Sequence, residues 1–194
     1  MTQDRRVRRT QKLLGEALIE VALEKGYKNI TIQDVTDRAD IGYRTYFRHY
    51  NGLDELLVSV AQDRLDEFYD VLDLPLPGEL MEDPVDFFHK IGHSLFEHVQ
   101  ENEENFRLLL MDSSSRFVLE PVMNRACEKA EILLRGLPQE NIPAGVAANH
   151  IITSTFSLMR WWLENDMPHS PRKMGDIFTD LIVKPTWQVM TQKV

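Results

Sequence analysis

The sequence predicts an all-α fold: an N-terminal three-helix unit with a helix-turn-helix, followed by a larger C-terminal helical domain. Three observations lead there. Residues 30–57, ITIQDVTDRADIGYRTYFRHYNGLDELL, hold two short helical segments separated by a tight turn, then the start of a longer one. Beyond Asp83-Pro84, apolar residues recur at helical spacing along several segments. A hydrophobic content of 43% in 194 residues suffices for a sizeable core.

The chain begins with a cationic cluster, Arg5, Arg6, Arg8, Arg9 and Lys12, ahead of the first helix. The second helix starts at Thr31, a good N-cap; Asp34 three residues later completes a capping box, and Ile30 and Val35 occupy the staple positions. Val35 and Ala39 face inward, and Asp40-Ile41-Gly42 supplies a turn whose glycine tolerates angles other residues avoid. The third helix is expected from Tyr43 to His49. Tyr46 and Tyr50, four apart, share one side of it, while Arg44, Thr45, Arg48 and His49 lie largely on the other. That second face suits phosphates and base edges. Asn51, with Asp54 at the third helical position, caps a fourth helix ending near Leu72.

This order of residues resembles the DNA-binding domain of the tetracycline-repressor (TetR) family of bacterial transcription regulators. The resemblance runs through the basic arm and first helix (RRVRRTQKLLGEALIEVALEKGYKNIT), ITIQDVTDRA, RTYFRHY and the DELL of helix four. It implies a recognition helix reading a DNA operator, with contacts from Thr31, Tyr43, Arg44, Thr45, Phe47, Arg48 and His49. It also implies a DNA-binding domain at 1–52 and an effector-binding and dimerisation domain at 53–194, bridged by helix 53–72. Two departures stand out. The family usually has Phe-Tyr where this chain has Tyr46-Phe47, which removes a common phosphate donor, and Leu53 stands where a lysine is frequent. Arg5, Arg6, Arg8 and Arg9 can compensate by entering a minor groove or lying along phosphates.

Charge divides the chain in the same place. Through Tyr50 there are ten Lys/Arg against seven Asp/Glu, net +3; from Asn51 onward there are twelve against twenty-four, net −12. Only the N-terminal part attracts a polyanion, and the acidic remainder is held away from it. No apolar run approaches a membrane span, and Gly15 and Glu16 interrupt what would otherwise follow the basic start as a signal-peptide core, so a cytoplasmic protein is expected. Cys127, the single cysteine, reads as a buried or idle thiol.

The segment DLPLPGELMEDP, with three prolines and a glycine, reads as a linker. Asp83-Pro84 then opens a helix with Val85, Phe88, Gly92, Leu95, Phe96 and Val99 at helical spacing. NFRLLLMD and SSRFVLEPVMNRACEKAEILLRG suggest two more, the latter disturbed by Pro121. VAANHIITSTFSLMRWWLEND follows. The last helix has a Ser170 cap, Pro171 at its first position and a kink expected at Pro185. By the resemblance, these last two helices pair with their copies in a homodimer.

No Gly-rich phosphate loop, Walker lysine, paired-Cys motif or Glu-x-x-His is present, so no catalytic residue, cofactor or metal is assigned. His89 and His93, four apart with Glu97 four further on, have a spacing that zinc or nickel can use, although an ordinary boundary pair or a polar pocket edge reads the same way. An effector cavity is expected from Phe88, Phe96, Phe106, Met111, Phe117, Phe156 and Met159, with His89 or His93 at a polar edge and room left by Pro121. The domain's acidity leans toward a neutral or cationic guest. The reading is a homodimeric repressor released by a small-molecule effector. The alternatives are an activator, a sensor of a partner protein, or a helical ligand-binding or enzymatic protein that does not read DNA.

Overall fold

Leu14, Leu18 and Val21 lie on one face of the first helix, α1 (Arg5–Lys25), and are essentially inaccessible. The basic residues do not form an arm ahead of it: arginine is a good helix former, Thr10 Oγ1 donates to the Arg6 carbonyl at 3.0 Å, and Arg5, Arg6, Arg8 and Arg9 occupy its first turns. In this computed structural model the described residues are 5–71, 84–111, 116–137, 139 and 141–191, the side chains of 67–71, 84, 116 and 117 excepted. The linker expected at 73–83 lies outside them. The described residues are mostly helical, with no strand among them.

α2 (Ile32–Ala39) begins with the expected capping box: the Asp34 amide donates to Thr31 Oγ1 at 3.2 Å, and the Thr31 amide donates to Asp34 Oδ2 at 2.9 Å. The turn that follows differs from expectation. Asp40 takes the left-handed conformation, φ 53° and ψ 42°, whereas Gly42 at φ −61° and ψ 137° is open to any residue. Aspartate tolerates that region because its short polar side chain bonds locally. α3 spans only Tyr43–Tyr46. Beyond it the backbone tightens, Arg48 N–H donating to Thr45 O and His49 N–H to Tyr46 O, so the expected helix to His49 finishes as turns.

α4 (Leu53–Val71) starts with Glu55, not Asp54, as its third residue. Glu55 therefore receives the Asn51 amide at 2.7 Å, and Asp54 is left to accept from Tyr27 Oη at 2.7 Å. α1 meets α4 over Gly15, where a Cβ would come within 2.8 Å of Val60 Cγ2. Leu14, Leu18, Val35, Tyr46 and Leu56 make the first core, which Val118 and Val122 complete from farther along the chain.

Those two valines belong to α7 (Arg116–Leu134), which runs through Pro121 without ending. Before it come α5 (Pro84–Glu101) and α6 (Glu103–Met111); after it come α8 (Ala144–Glu164), α9 (Pro171–Phe178) and α10 (Lys184–Thr191). Phe96, Trp162, Leu163, Met174 and Met190 anchor their core. α9 starts as expected, Ser170 Oγ accepting from the Lys173 amide and Pro171 in the first turn. At Thr179–Val183 the helix widens into one π turn, the Lys184 amide reaching back five residues to Thr179 O. That turn sits just before Pro185, which has no amide hydrogen to offer. α5 and α9 cross at backbone contact: a Cβ on Gly92 would lie 2.7 Å from Gly175 O. No described helix is long and apolar enough to cross a membrane.

Candidate functional site

Two regions of the molecule are arranged for binding. The first is the outer face of α3. Tyr46 and Tyr50 are buried beneath it, while Tyr43, Arg44, Phe47 and Arg48 are exposed, and Thr45 and His49 are half-buried. Phe47 packs edge-on against Tyr43, ring centroids 5.0 Å apart, so an aromatic pair shares this face with the two guanidinium groups. Neither Arg44 nor Arg48 carries an ion pair among the described residues. Elsewhere in this unit Arg38 holds Glu20 and Glu24 at 3.0 and 2.7 Å, and Lys25 holds Asp34 at 2.7 Å. The Lys25 ammonium, with help from the Thr31 amide and hydroxyl, brings the Asp34 carboxyl down to about 2. Thr31 is exposed at the start of α2, and Arg5, Arg8 and Arg9 are exposed along the start of α1.

The second region is a half-open cavity of about 290 Å³ bordered by α4 to α9. Its walls are apolar: Ala61 and Leu65 from α4, Phe88 and Ile91 from α5, and Phe156 and Met159 from α8. Phe106 closes it from α6, its ring edge-on to His98 at 5.8 Å. The polar lining is His98, Asn102, Asn105, Arg64, Lys129 and Thr155, and no carboxylate lines it among the described residues. α4 is therefore shared: Leu56 and Leu57 pack in the core beneath α3, and Ala61 and Leu65 face the cavity one and two turns later. Asp66, farther along the same helix, binds Arg125 Nη2 at 2.5 Å and Lys129 Nζ at 3.1 Å, clamping α4 to α7. The Arg125 guanidinium holds the Asp66 carboxyl below the usual carboxylate range.

The sequence placed Phe88, Phe106, Phe156 and Met159 at this cavity, and they line it. Four others do not. Phe96 is fully buried in the core against Trp162, ring centroids 5.3 Å apart. Met111 is exposed at the end of α6, its sulfur accepting from Arg107. His89 and His93 point away from the cavity toward α9, because Phe88, Ile91 and Leu95 take the inner face of α5. The Phe117 side chain lies outside the described residues. The polar edge is instead His98, two turns along α5, with Asn102 donating to its backbone carbonyl at 3.0 Å. A cationic guest finds no acidic partner among the described lining residues, which include Arg64 and Lys129, whereas a neutral guest needs none. Domain-wide charge resides on the outer surface, and the interior follows its own pattern.

A family model described as a transcriptional regulator C-terminal region, TetR_C_8, matches residues 87–184, half of the chain. The uncharacterized HTH-type transcriptional regulator YxbF of Bacillus subtilis is 40% identical over 70 residues, 36% of this chain and 18% of YxbF's length. The HTH-type transcriptional activator FasR of Mycolicibacterium smegmatis is 24% identical over 170 residues, 83% of this chain and 74% of FasR. Among solved structures, the transcriptional regulator FadR of Bacillus subtilis in complex with stearoyl-CoA has the same fold: TM-score 0.61 at 14% identity, covering 89% of this chain and 97% of FadR. With an N-terminal helix-turn-helix and a matching C-terminal region, the chain belongs to the TetR family of transcriptional regulators.

Proposed function

We propose that the protein is a cytoplasmic, homodimeric repressor that reads a specific DNA operator and releases it when a small amphipathic molecule fills the cavity. Residues 1–52 read DNA and residues 53–194 bind effector and dimerise. The observation that carries this is the double use of α4, which supports the recognition helix at Leu56 and walls the cavity at Ala61 and Leu65. Arg44, Thr45, Arg48 and His49 face base edges and phosphates, with Tyr43 and Phe47 against the backbone and Thr31 and the α1 arginines along flanking phosphates. Two such helices fit successive major grooves only about 34–36 Å apart. A guest that displaces α4 changes that spacing and lowers the population competent to bind.

The apolar walls call for a hydrocarbon body, and Arg64, Lys129 and His98 in the lining for a polar or anionic end. The stearoyl-CoA complex of FadR, on the same fold, supports a ligand of that shape. The FasR likeness favours a second reading, an activator with the same two binding functions.

Footprinting of genomic DNA with purified protein, repeated with cell extract fractionated by polarity, tests the reading. An amphipathic fraction should raise the melting temperature and weaken the footprint. Ala126→Phe, which fills the cavity from α7, should keep the footprint and lose both responses. A footprint that strengthens with ligand supports the activator. No sequence-specific protection at any salt concentration would defeat both.

A further inference from the structure

The pair His89 and His93, which the cavity does not use, meets a third group from a distant part of the chain. Asp176 Oδ1 on α9 lies 3.2 Å from His89 Nδ1 and 2.9 Å from His93 Nε2. All three ligand atoms fall within 4.8 Å of one another, the only such group of His, Cys, Asp and Glu among the described residues. We propose that His89, His93 and Asp176 form a binding site for a divalent transition ion of the zinc class, joining α5 to α9.

The spacing fits the chemistry. Bonds of about 2.0–2.1 Å to a common ion put neighbouring ligand atoms roughly 2.9 Å apart at a right angle and roughly 3.4 Å apart at the tetrahedral angle. The two measured separations lie at or between those values. Two imidazole nitrogens and one carboxylate oxygen suit zinc, cobalt or nickel and are a poor match for magnesium or calcium, which prefer oxygen throughout. The side chains are 29%, 24% and 38% exposed, so an ion can enter from solvent and retain water in its remaining positions.

The backbone is built for the meeting. Aspartate is short, and it reaches two histidines on another helix only if the helix axes are unusually close. They are: Gly92, between the two histidines, touches Gly175, the residue before Asp176. A Cβ at Gly175 would lie 2.5 Å from His93 Cδ2 and 2.6 Å from the His93 amide. Glu97, which the sequence spacing offers alongside the two histidines, is exposed and does not join the group.

The site is separate from the cavity, although both use α5. Phe88, Ile91 and Leu95 face the cavity while His89 and His93 face α9, so an ion would pin the helix whose inner face holds the effector.

The test uses the full chain without a histidine tag, stripped with chelator and titrated with Zn²⁺ and Co²⁺ by calorimetry and visible absorption. One ion per chain should bind, with cobalt showing the ligand-field bands of a nitrogen and oxygen site. At about a hundredfold excess over Kd the melting temperature should rise by roughly 5–10 °C. His89→Ala, His93→Ala and Asp176→Asn should each weaken binding at least about tenfold, since even outer-shell partners matter by that much. His150→Ala, on an exposed part of α8, should leave it unchanged. Binding that survives the double substitution His89→Ala with His93→Ala, or no binding at millimolar metal, overturns the assignment. Circular dichroism on each variant separates lost ligation from lost fold.

Discussion

The Tyr46 hydroxyl is buried without a hydrogen-bond partner among the described residues, and the next residue, Phe47, is exposed with no hydroxyl at all. Leaving such a group unpaired costs about 1–3 kcal/mol. Burial also pushes the Tyr46 phenol well above its ordinary value. Tyr46→Phe should therefore raise the melting temperature by a few degrees, and Phe47→Tyr should tighten operator binding by restoring a phosphate donor at the surface. Thermal melts and fluorescence anisotropy on the two single variants separate the effects; a lower melting temperature for Tyr46→Phe would mean the hydroxyl is satisfied in solution. At the start of α2 the sign of a pH effect is set by Asp34. Its carboxyl sits at about 2, below its ordinary 3.8, so its share of stability is present above 3.8 and is lost as pH falls from there toward 2. Asp34→Asn should flatten that part of an acid-unfolding curve.

At the scale of elements, the Gly92–Gly175 crossing decides how α5 and α9 pack. Gly92→Ala would place a methyl 2.7 Å from Gly175 O and 2.8 Å from Phe178 Cδ1, and the carbonyl cannot rotate away as a side chain can. Overpacking of this kind costs about 1–3 kcal/mol, against roughly 1 kcal/mol gained in helix propensity, so a net loss is expected. Gly52→Ala, with no heavy atom within 4 Å of the added methyl, is the control and should leave the melting temperature nearly unchanged. The elements themselves were largely legible in the sequence, because caps and apolar spacing are local: Thr31 with Asp34, and Ser170 with Pro171, start their helices where expected. What was not legible depends on distant chain. Asp176 meets His93 across 83 residues, and nothing in the His89–His93 spacing points to it. The inward set on α5 was misread for a related reason. Phe96 and Phe88 share a helical face, but Trp162 fills the space before Phe96 and leaves the cavity to Phe88 and His98.

For the whole molecule, the outer side of α8 and the final helices displays Val146 at 56% exposure, Trp161 at 45%, Leu181 at 67% and Val189 at 49%. We propose that these residues belong to the face on which a second copy packs by two-fold symmetry. Trp161→Glu combined with Leu181→Glu should yield a folded monomer by light scattering. Its affinity for a two-half-site operator should fall by on the order of 100-fold as the linkage between recognition helices is lost. A dimer that persists would move the interface elsewhere. The π turn at Thr179–Val183 gives this face a further property. A wide turn holds one more residue than the α-helical turn it replaces, and each residue rotates a helix by about 100°. Winding these same residues as regular α-helix would instead turn everything from Lys184 onward by about 100°, carrying Val189 off the outer surface to the place where Met190 is buried. The wide turn thus absorbs one residue and holds the phase of the last helix, so deleting one residue within this five-residue window should leave Val189 outside and Met190 buried, whereas a deletion just after Lys184 should rotate the rest of the helix.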